Sequence, residues 1–538
     1  MKASYSFLLL LCLTFLAKGQ TGPGGVGMSD GTSALKLWLD ADKQVYADTL
    51  GQQTSQPGDR VMLWKDLSGS NHHVLANSDS SRPTLTGDNA LLNHTNALRF
   101  TRDAGSLNKK NFLVSKSFSS TNDISIYCVF HALNVSEGSD VSPYKSTTYD
   151  SNMWYFGSGL VDAGQNGFTN DISLAFCDTS IAAGAGDSTT RTDYCVKTPT
   201  GLHKTYFATL EKEAYSGRLS IAQNGSTPAE YQAGAQPIND APRYYIGANS
   251  NVSSNQTSPF FDGYIAQVLV YNRLLNAAEK AILENYLSAK YGIALIQDDV
   301  YTFDDSSSGN FDFELVGIGK ASDGSFQSSA KGEGILELTN PSELDKGDYV
   351  FIGHNGKPTT FVEKDLADGI QHTLERTWVC AKLGQTQKVD LLIDAAGLPS
   401  ISQEDLVLLI DKDHNGVFSD ETYGQGILPI SEVTSHGRFA FRGVPLKHGD
   451  LFTFGKLKPA CQSNCESYFS PNGDGVSDLY YLDQQGKTAI YDRSGKFIRS
   501  MPTPSYWDGT NDKGELVVPG LYFLIANDDT QKTVTLIR

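Results

Sequence analysis

Apolar and polar side chains alternate with period two through most of this chain, the pattern of strands with one face turned to a core. Leu37 and Leu39 alternate with Lys36 and Trp38, and Ile124, Ile126, Cys128 and Phe130 with Ser125, Tyr127 and Val129. Turn signals such as Asp66-Leu-Ser-Gly69 close these runs, so strand, turn, strand is predicted from Leu35 to about Leu295. A second β-rich stretch follows from Tyr301 to about Leu457, with apolar strands at 347–355, 375–380, 388–398, 406–418 and 449–456, each ending in a turn. One segment breaks the rhythm. Ile282, Leu283, Tyr286, Leu287 and Tyr291 recur at helical spacing, with Asn276 and Glu279 placed as a capping box and Gly292 as the stop. A single amphipathic helix is expected to close the first β domain.

At 538 residues the chain is too long for one core, and two to four domains are expected. Its 51 Gly and a charged content of 19% suit short strands and many turns. The formal charge of −18 repels nucleic acid and anionic lipid, so neither is expected as a partner. Residues 1–19 read as a signal peptide: Lys2, the apolar run Phe7–Ala17, then Ala17-Lys18-Gly19 before Gln20. The run is too short to span a bilayer, and no other stretch qualifies. The expected location is therefore secreted or outer cell surface, after cleavage near Gly19–Gln20. Residues 20–33 are Gly-rich and read as a linker. An oxidising destination permits disulfides, and Cys177–Cys195 and Cys461–Cys465 are the expected pairs. Cys128 and Cys380 read as buried small hydrophobes.

Three stretches resemble known families. LWLDAD (37–42), WKDLSGSNHH (64–73), Arg82-Pro83, ALRF (97–100) and DGYIAQVLVYNRLLNAAEKAILENYLSAKYGI (262–293) resemble bacterial laminin-G/concanavalin-like jelly rolls. The resemblance implies such a sandwich over 34–297 and a glycan or surface protein as partner. Residues 298–458 resemble an uncharacterised β-rich domain found between laminin-G-like and sorting domains in Bacteroidetes surface proteins. FSPNGDGVSD (469–478), TAIYDRSGKFIRSM (488–501), WDGTNDKGE (507–515) and VPGLYFLI (518–525) resemble the gliding-motility-associated, type-B C-terminal sorting domain of type IX secretion. That implies a small immunoglobulin-like sandwich over 461–538 and the secretion machinery as partner. Alternating Leu521, Phe523 and Ile525, then Val534 and Leu536, are expected to form its core.

Two oxygen-rich turns are candidate metal sites. Asp411, Asp413 and Asn415 precede Gly416, and Asp420 and Glu421 follow a few residues later; alternate oxygen ligands on a Gly-tightened loop are what Ca²⁺ takes. Asn472, Asp474 and Asp478 around Gly473 and Gly475 make a similar turn. No cofactor is expected to be required, calcium being the one candidate. Catalytic signals are thin: the chain has no HExxH and no ExDxxE strand. His72-His73 reads as exposed loop, and Glu211 with Glu213 as a solvated strand face. The expectation is thus a mostly β, non-enzymatic surface or secreted protein that binds carbohydrate or a protein partner in adhesion or substrate capture. Aromatic, Asn-rich loops at 144–154 and 249–261 are where sugar contacts would lie. The alternatives are a carbohydrate-active enzyme whose carboxylates converge from distant segments, or a structural surface-layer component with no discrete ligand.

Overall fold

A computed structural model describes residues 19–102, 110–118, 123–134, 157–163, 172–177, 179–185, 194–232, 243–250, 260–305, 307, 309–399, 401, 405–458, 468–473, 477–526 and 531–537. The leader, both members of the expected Cys461–Cys465 pair, Asp474 and residues 144–154 lie outside these.

The expected β architecture is what forms. In the first unit an eight-stranded sheet carries Gly263–Tyr271 beside Ile124–Ala132, with Leu35–Asp40 paired along its other edge. It faces a nine-stranded sheet running from Tyr194–Pro199 through Ser180–Ala185, Ile172–Cys177 and Ser158–Asp162 to Tyr245–Ile246 and beyond. The inward positions predicted from alternation, Leu37, Leu39, Ile124, Ile126, Cys128 and Phe130, interdigitate between the sheets with Leu174 and Phe176 of the facing one. The middle unit is again two sheets, of nine and five strands, closed on Ile318, Leu338, Ile352, Trp378, Leu391, Leu408, Phe441 and Phe454.

Helix α1 (Ala277–Tyr291) has the cap geometry its sequence predicts. Asn276 and Glu279 exchange side-chain-to-backbone hydrogen bonds, and Gly292 takes the left-handed conformation. Its setting differs from the expectation. Ile282, Leu283, Tyr286, Leu287 and Tyr291 pack on Trp38, Tyr127, Val129, Phe207 and Leu269 of the first unit and on Tyr301, Phe311, Leu315, Tyr349 and Phe351 of the middle one. The helix is thus a layer shared by two sandwiches, not a cover on one. Buried Asn285 stitches it to the start of the middle unit: its Nδ2 donates to Ala281 O and Asp298 O, and its Oδ1 accepts from the Val300 and Tyr301 amides.

The Gly-rich segment is not a free linker. Gly22 to Gly27 are buried. Gln20 bridges to Ala330, the Gln327 side chain donates to Gly25 O, and Tyr271 Oη donates to Val26 O. The glycines serve close approach. Gly25, at φ +86°, would place a Cβ 2.4 Å from that of Ala330, and Gly24, at φ +63°, one 3.0 Å from that of Tyr286. The segment is a strap laced between α1 and the middle unit.

The C-terminal unit is one five-stranded sheet in the order 468–469, 531–536, 520–526, 480–492, 497–507. The register of its long hairpin shifts between Leu482 and Gly486, and Leu482 and Trp507 join Ile490, Tyr522, Leu524, Val534 and Leu536 in one core. Val534 and Leu536 are buried as predicted. Strand Gly520–Ala526 is reversed: Tyr522, Leu524 and Ala526 point inward, and Leu521 is 40% exposed.

Candidate functional site

The first-unit residues that carry the jelly-roll resemblance are structural. Asp66 organises its loop by accepting from the Trp38, Ser68 and His72 amides and from Ser68 Oγ, all at 2.9 Å. His72 is not a solvated loop residue. Its ring stacks on Phe118 at 3.9 Å, Phe118 stacks in turn on Tyr244, and its Nδ1 lies 2.7 Å from Lys36 O. His73 Nδ1 accepts from the Asp66 amide, and burial lowers its pKa. Asp40, fully buried, pairs with Lys290 of α1 at 2.5 Å. Burial alone would depress that ammonium. Asp40, with Tyr286, Tyr291 and Asp42 beside it, instead holds its pKa well above the ordinary value. Glu211 is likewise no solvated residue: 4% exposed, it meets Lys280 at 2.6 Å and accepts from Ser125 Oγ. Glu213 pairs with Arg218.

The outer face of the nine-stranded sheet differs in composition. Ile172, Leu174 and Phe176 point to the core, so Ser173, Ala175 and Cys177 lie on the other face. Across the ladder Ala175 sits between Gly159 and Ala182, and Ser173 between Asp162 and Gly184. The result is a floor of small residues with buried polar groups at one end. Asp162 and Ser173 are fully buried and Asn249 is 3% exposed. Asp162 accepts from the Ser250 amide at 3.0 Å, while Ser173 Oγ has no hydrogen-bond partner among the described residues, and a buried hydroxyl left unpaired costs stability. Beside them Tyr245 stacks with Phe112, which also meets Phe260. Sequence reading placed sugar contacts in the flanking loops and missed this floor; alternation alone marks Ser173 as the one hydroxyl among Ile172, Leu174 and Phe176 on that strand.

The same ladder overturns the Cys177–Cys195 disulfide. Cys177 faces Ser180, which faces Pro199, whereas Cys195 faces Gly184. The two Cα atoms are about 13 Å apart along the strands and about 10 Å across them, where a disulfide needs roughly 4.4–6.8 Å. Cys128 and Cys380 are buried free thiols as expected, and burial pushes the Cys380 pKa up to about 12.

Of the first oxygen-rich turn, the structure brings together Asp411, Asp413 and Glu421, with carboxylate oxygens within 4.8 Å of one another. The Asn415 and Gly416 amides donate to Asp411 and the Lys412 amide to Glu421. Asn415 Nδ2 donates to both Asp413 and Asp420, so Asn415 braces the loop and Asp420 stands outside the trio. Burial raises the pKa of Asp411 and of Glu421. Three clustered carboxylates are hard-cation donors, yet each is also explained by loop bracing. In the second turn Asp478 accepts from the Asn472 and Gly473 amides, which makes it a turn anchor.

The C-terminal unit docks on the middle one. Tyr506 and Tyr481 pack with Ile370, Val407, Leu409, Phe418 and Tyr423, the Tyr423–Tyr506 and Tyr481–Tyr506 ring centroids lying 5.0 and 4.9 Å apart.

Among solved structures, the chain is similar to a SAP-like pentraxin from Limulus polyphemus (11% identity, 34% of this chain and 78% of that one, TM-score 0.25). It is also similar to the CBM40 of a Ruminococcus gnavus IT-sialidase bound to α2,3-sialyllactose (9%, 34% and 91%, TM-score 0.23). A botulinum neurotoxin serotype D/C binding domain matches more of the chain (12%, 77% and 99%, TM-score 0.31). At these scores none lends its ligand to this chain. No curated protein sequence matches it. Among the described residues no helix is long and apolar enough to cross a membrane. Residues 279–438 match the family described as a domain of unknown function (DUF8202), a match that begins inside α1, the shared helix. Residues 463–536 match the CHU_C type IX secretion signal domain; the chain therefore carries a signal that points to export to the cell surface or the extracellular space.

Proposed function

We propose that this protein is a type IX secretion cargo that binds carbohydrate on the outer face of its nine-stranded sheet, serving adhesion or substrate capture outside the cell. The observation that carries the reading is the buried Ser173 hydroxyl, without a hydrogen-bond partner among the described residues, on a floor of small residues beside Asp162. Ser173, Ala175 and Ala182 are themselves fully buried, so a sugar reaches them only by displacing what covers them; a hydroxyl with no partner among the described residues is then satisfied by a sugar hydroxyl. Tyr245 and Phe112 at the edge supply apolar contact for a ring's C–H face. The reading is of binding rather than turnover: the floor offers Asp162, already accepting an amide, where hydrolysis uses a carboxylate pair roughly 5–9.5 Å apart. The calcium expectation rests on Asp411, Asp413 and Glu421, and an unchanged melting temperature between calcium and EDTA removes it.

The test is a glycan array with the full chain, followed by titration of the best ligand into Ser173→Val and Asp162→Ala. Affinity is expected to fall about tenfold or more in each, the loss of one or two buried polar contacts. An empty array, or a ligand bound equally by both variants, removes the site. Release of cleaved sugar on prolonged incubation would move the protein to the enzyme class.

A further inference from the structure

The secretion-signal unit has two apolar surfaces besides its core, and the middle unit covers only one. Tyr481 and Tyr506 are the covered surface. The other is the outer face of the sheet. Strand Gly520–Ala526 reads GLYFLIA, apolar on both sides: Tyr522 and Leu524 fill the core, leaving Leu521, Phe523 and Ile525 outside. Register extends this stripe. Phe523 faces Tyr491, which faces Phe497, their rings 5.7 Å apart; Leu521 faces Thr535, and Ile537 continues that strand's direction. Phe497, Leu521 and Ile537 are 46%, 40% and 42% exposed. Scattered apolar residues on a surface need no explanation, but a contiguous apolar face marks an interaction site. The neighbouring edge strand Phe497–Trp507 carries Pro502 and Pro504, which lack the amide hydrogens a strand-adding partner would use. Recognition therefore falls to the face and not to that edge.

We propose that the face formed by Tyr491, Phe497, Leu521, Phe523, Ile525 and Ile537 is the surface by which the type IX export machinery grips this chain, through an apolar recognition surface of its own. The occupant follows from what the unit is: residues 463–536 match a secretion signal, a unit that must be read by that machinery, and its other apolar surface is already occupied. The inference rests on the secretion reading and says where on the unit it is read.

The experiment follows the full chain in a type IX-secreting host, comparing Phe523→Glu, Thr535→Glu and, as a control in the first unit, Leu50→Glu. The amount reaching medium and surface is expected to fall about tenfold or more for the first two, as for loss of a hot-spot contact, while Leu50→Glu is exported normally. Thr535 sits on the face without filling the core, so Thr535→Glu decides should Phe523→Glu fail to fold; melting of the purified variants reads folding. A folded Thr535→Glu chain exported at the wild-type level overturns the proposal. So does a face that proves to join two copies, seen as a dimer that Thr535→Glu splits without change in export. Deletion of 461–538 separates the two layers: normal export of the truncated chain sinks the secretion reading itself, whereas blocked export beside normal Thr535→Glu export sinks only the face.

Discussion

At the scale of single residues, the charges that decide stability lie where α1 meets the first unit. Asp40 is fully buried and its carboxylate also accepts from the Asp42 amide, so removing its partner strands a desolvated charge. Lys290→Met is expected to cost about 3–5 kcal/mol, read by denaturant unfolding. Asp40→Asn with Lys290→Met should recover part of that, because no unpaired charge remains. A double variant as unstable as the single one would mean that Lys290 acts through packing. Sequence reading met Asp40 only within the LWLDAD stretch, because its partner is 250 positions away and one chain offers no signal linking them. The same blindness explains Glu211, whose periodicity is that of a solvated face until Lys280 arrives from the helix.

At the scale of elements, local pattern was legible and its surroundings were not. The caps of α1 follow from Asn276, Glu279 and Gly292 alone, since caps satisfy groups within one turn. That the helix is covered on both sides depends on a second sandwich, which no local period announces. One consequence is titratable. Glu284 on α1 has its pKa raised to about 8, chiefly by burial and further by Glu211 and Asp298. Its folded-state value lies above its unfolded one, so its contribution is fully present below about pH 4.5 and is lost as pH rises through about 8. Glu284→Gln is expected to raise the melting temperature at pH 8.5 and leave it nearly unchanged at pH 4.5. The gain is about 1–2 kcal/mol, reduced because the side chain keeps some solvent, and equal shifts at both pH values would assign the effect to packing. The Gly-rich strap shows the opposite limit of legibility. Glycine runs signal freedom in a linker and close approach in a packed segment alike. Gly25→Val is expected to destabilise the chain by at least about 1–3 kcal/mol, since its Cβ would sit against Ala330 at a φ favouring glycine; a true linker would lose nothing.

At the scale of the whole molecule, the two large sandwiches are one folding unit with the helix between them. Cluster membership joins Trp38 and Leu269 through Ile282 and Tyr286 to Phe311 and Phe351 without a break, and the strap ties Gln20 to Ala330 across the same seam. Inter-domain surfaces that size and that apolar do not part as independent modules do. Residues 19–458 are therefore expected to unfold in a single calorimetric transition, although the chain is long enough for several. A fragment ending at 297 should not behave as a free jelly roll: it exposes the side of α1 that Tyr349 and Phe351 cover, and it is expected to aggregate or bind a hydrophobic dye. This bears on function directly, because glycan binding must be measured on a chain that retains the middle unit. If the 1–297 fragment instead melts cooperatively and stays monomeric, the helix belongs to the first unit alone. The middle unit would then be a docked neighbour, and not half of the platform that presents the small-residue floor outside the cell.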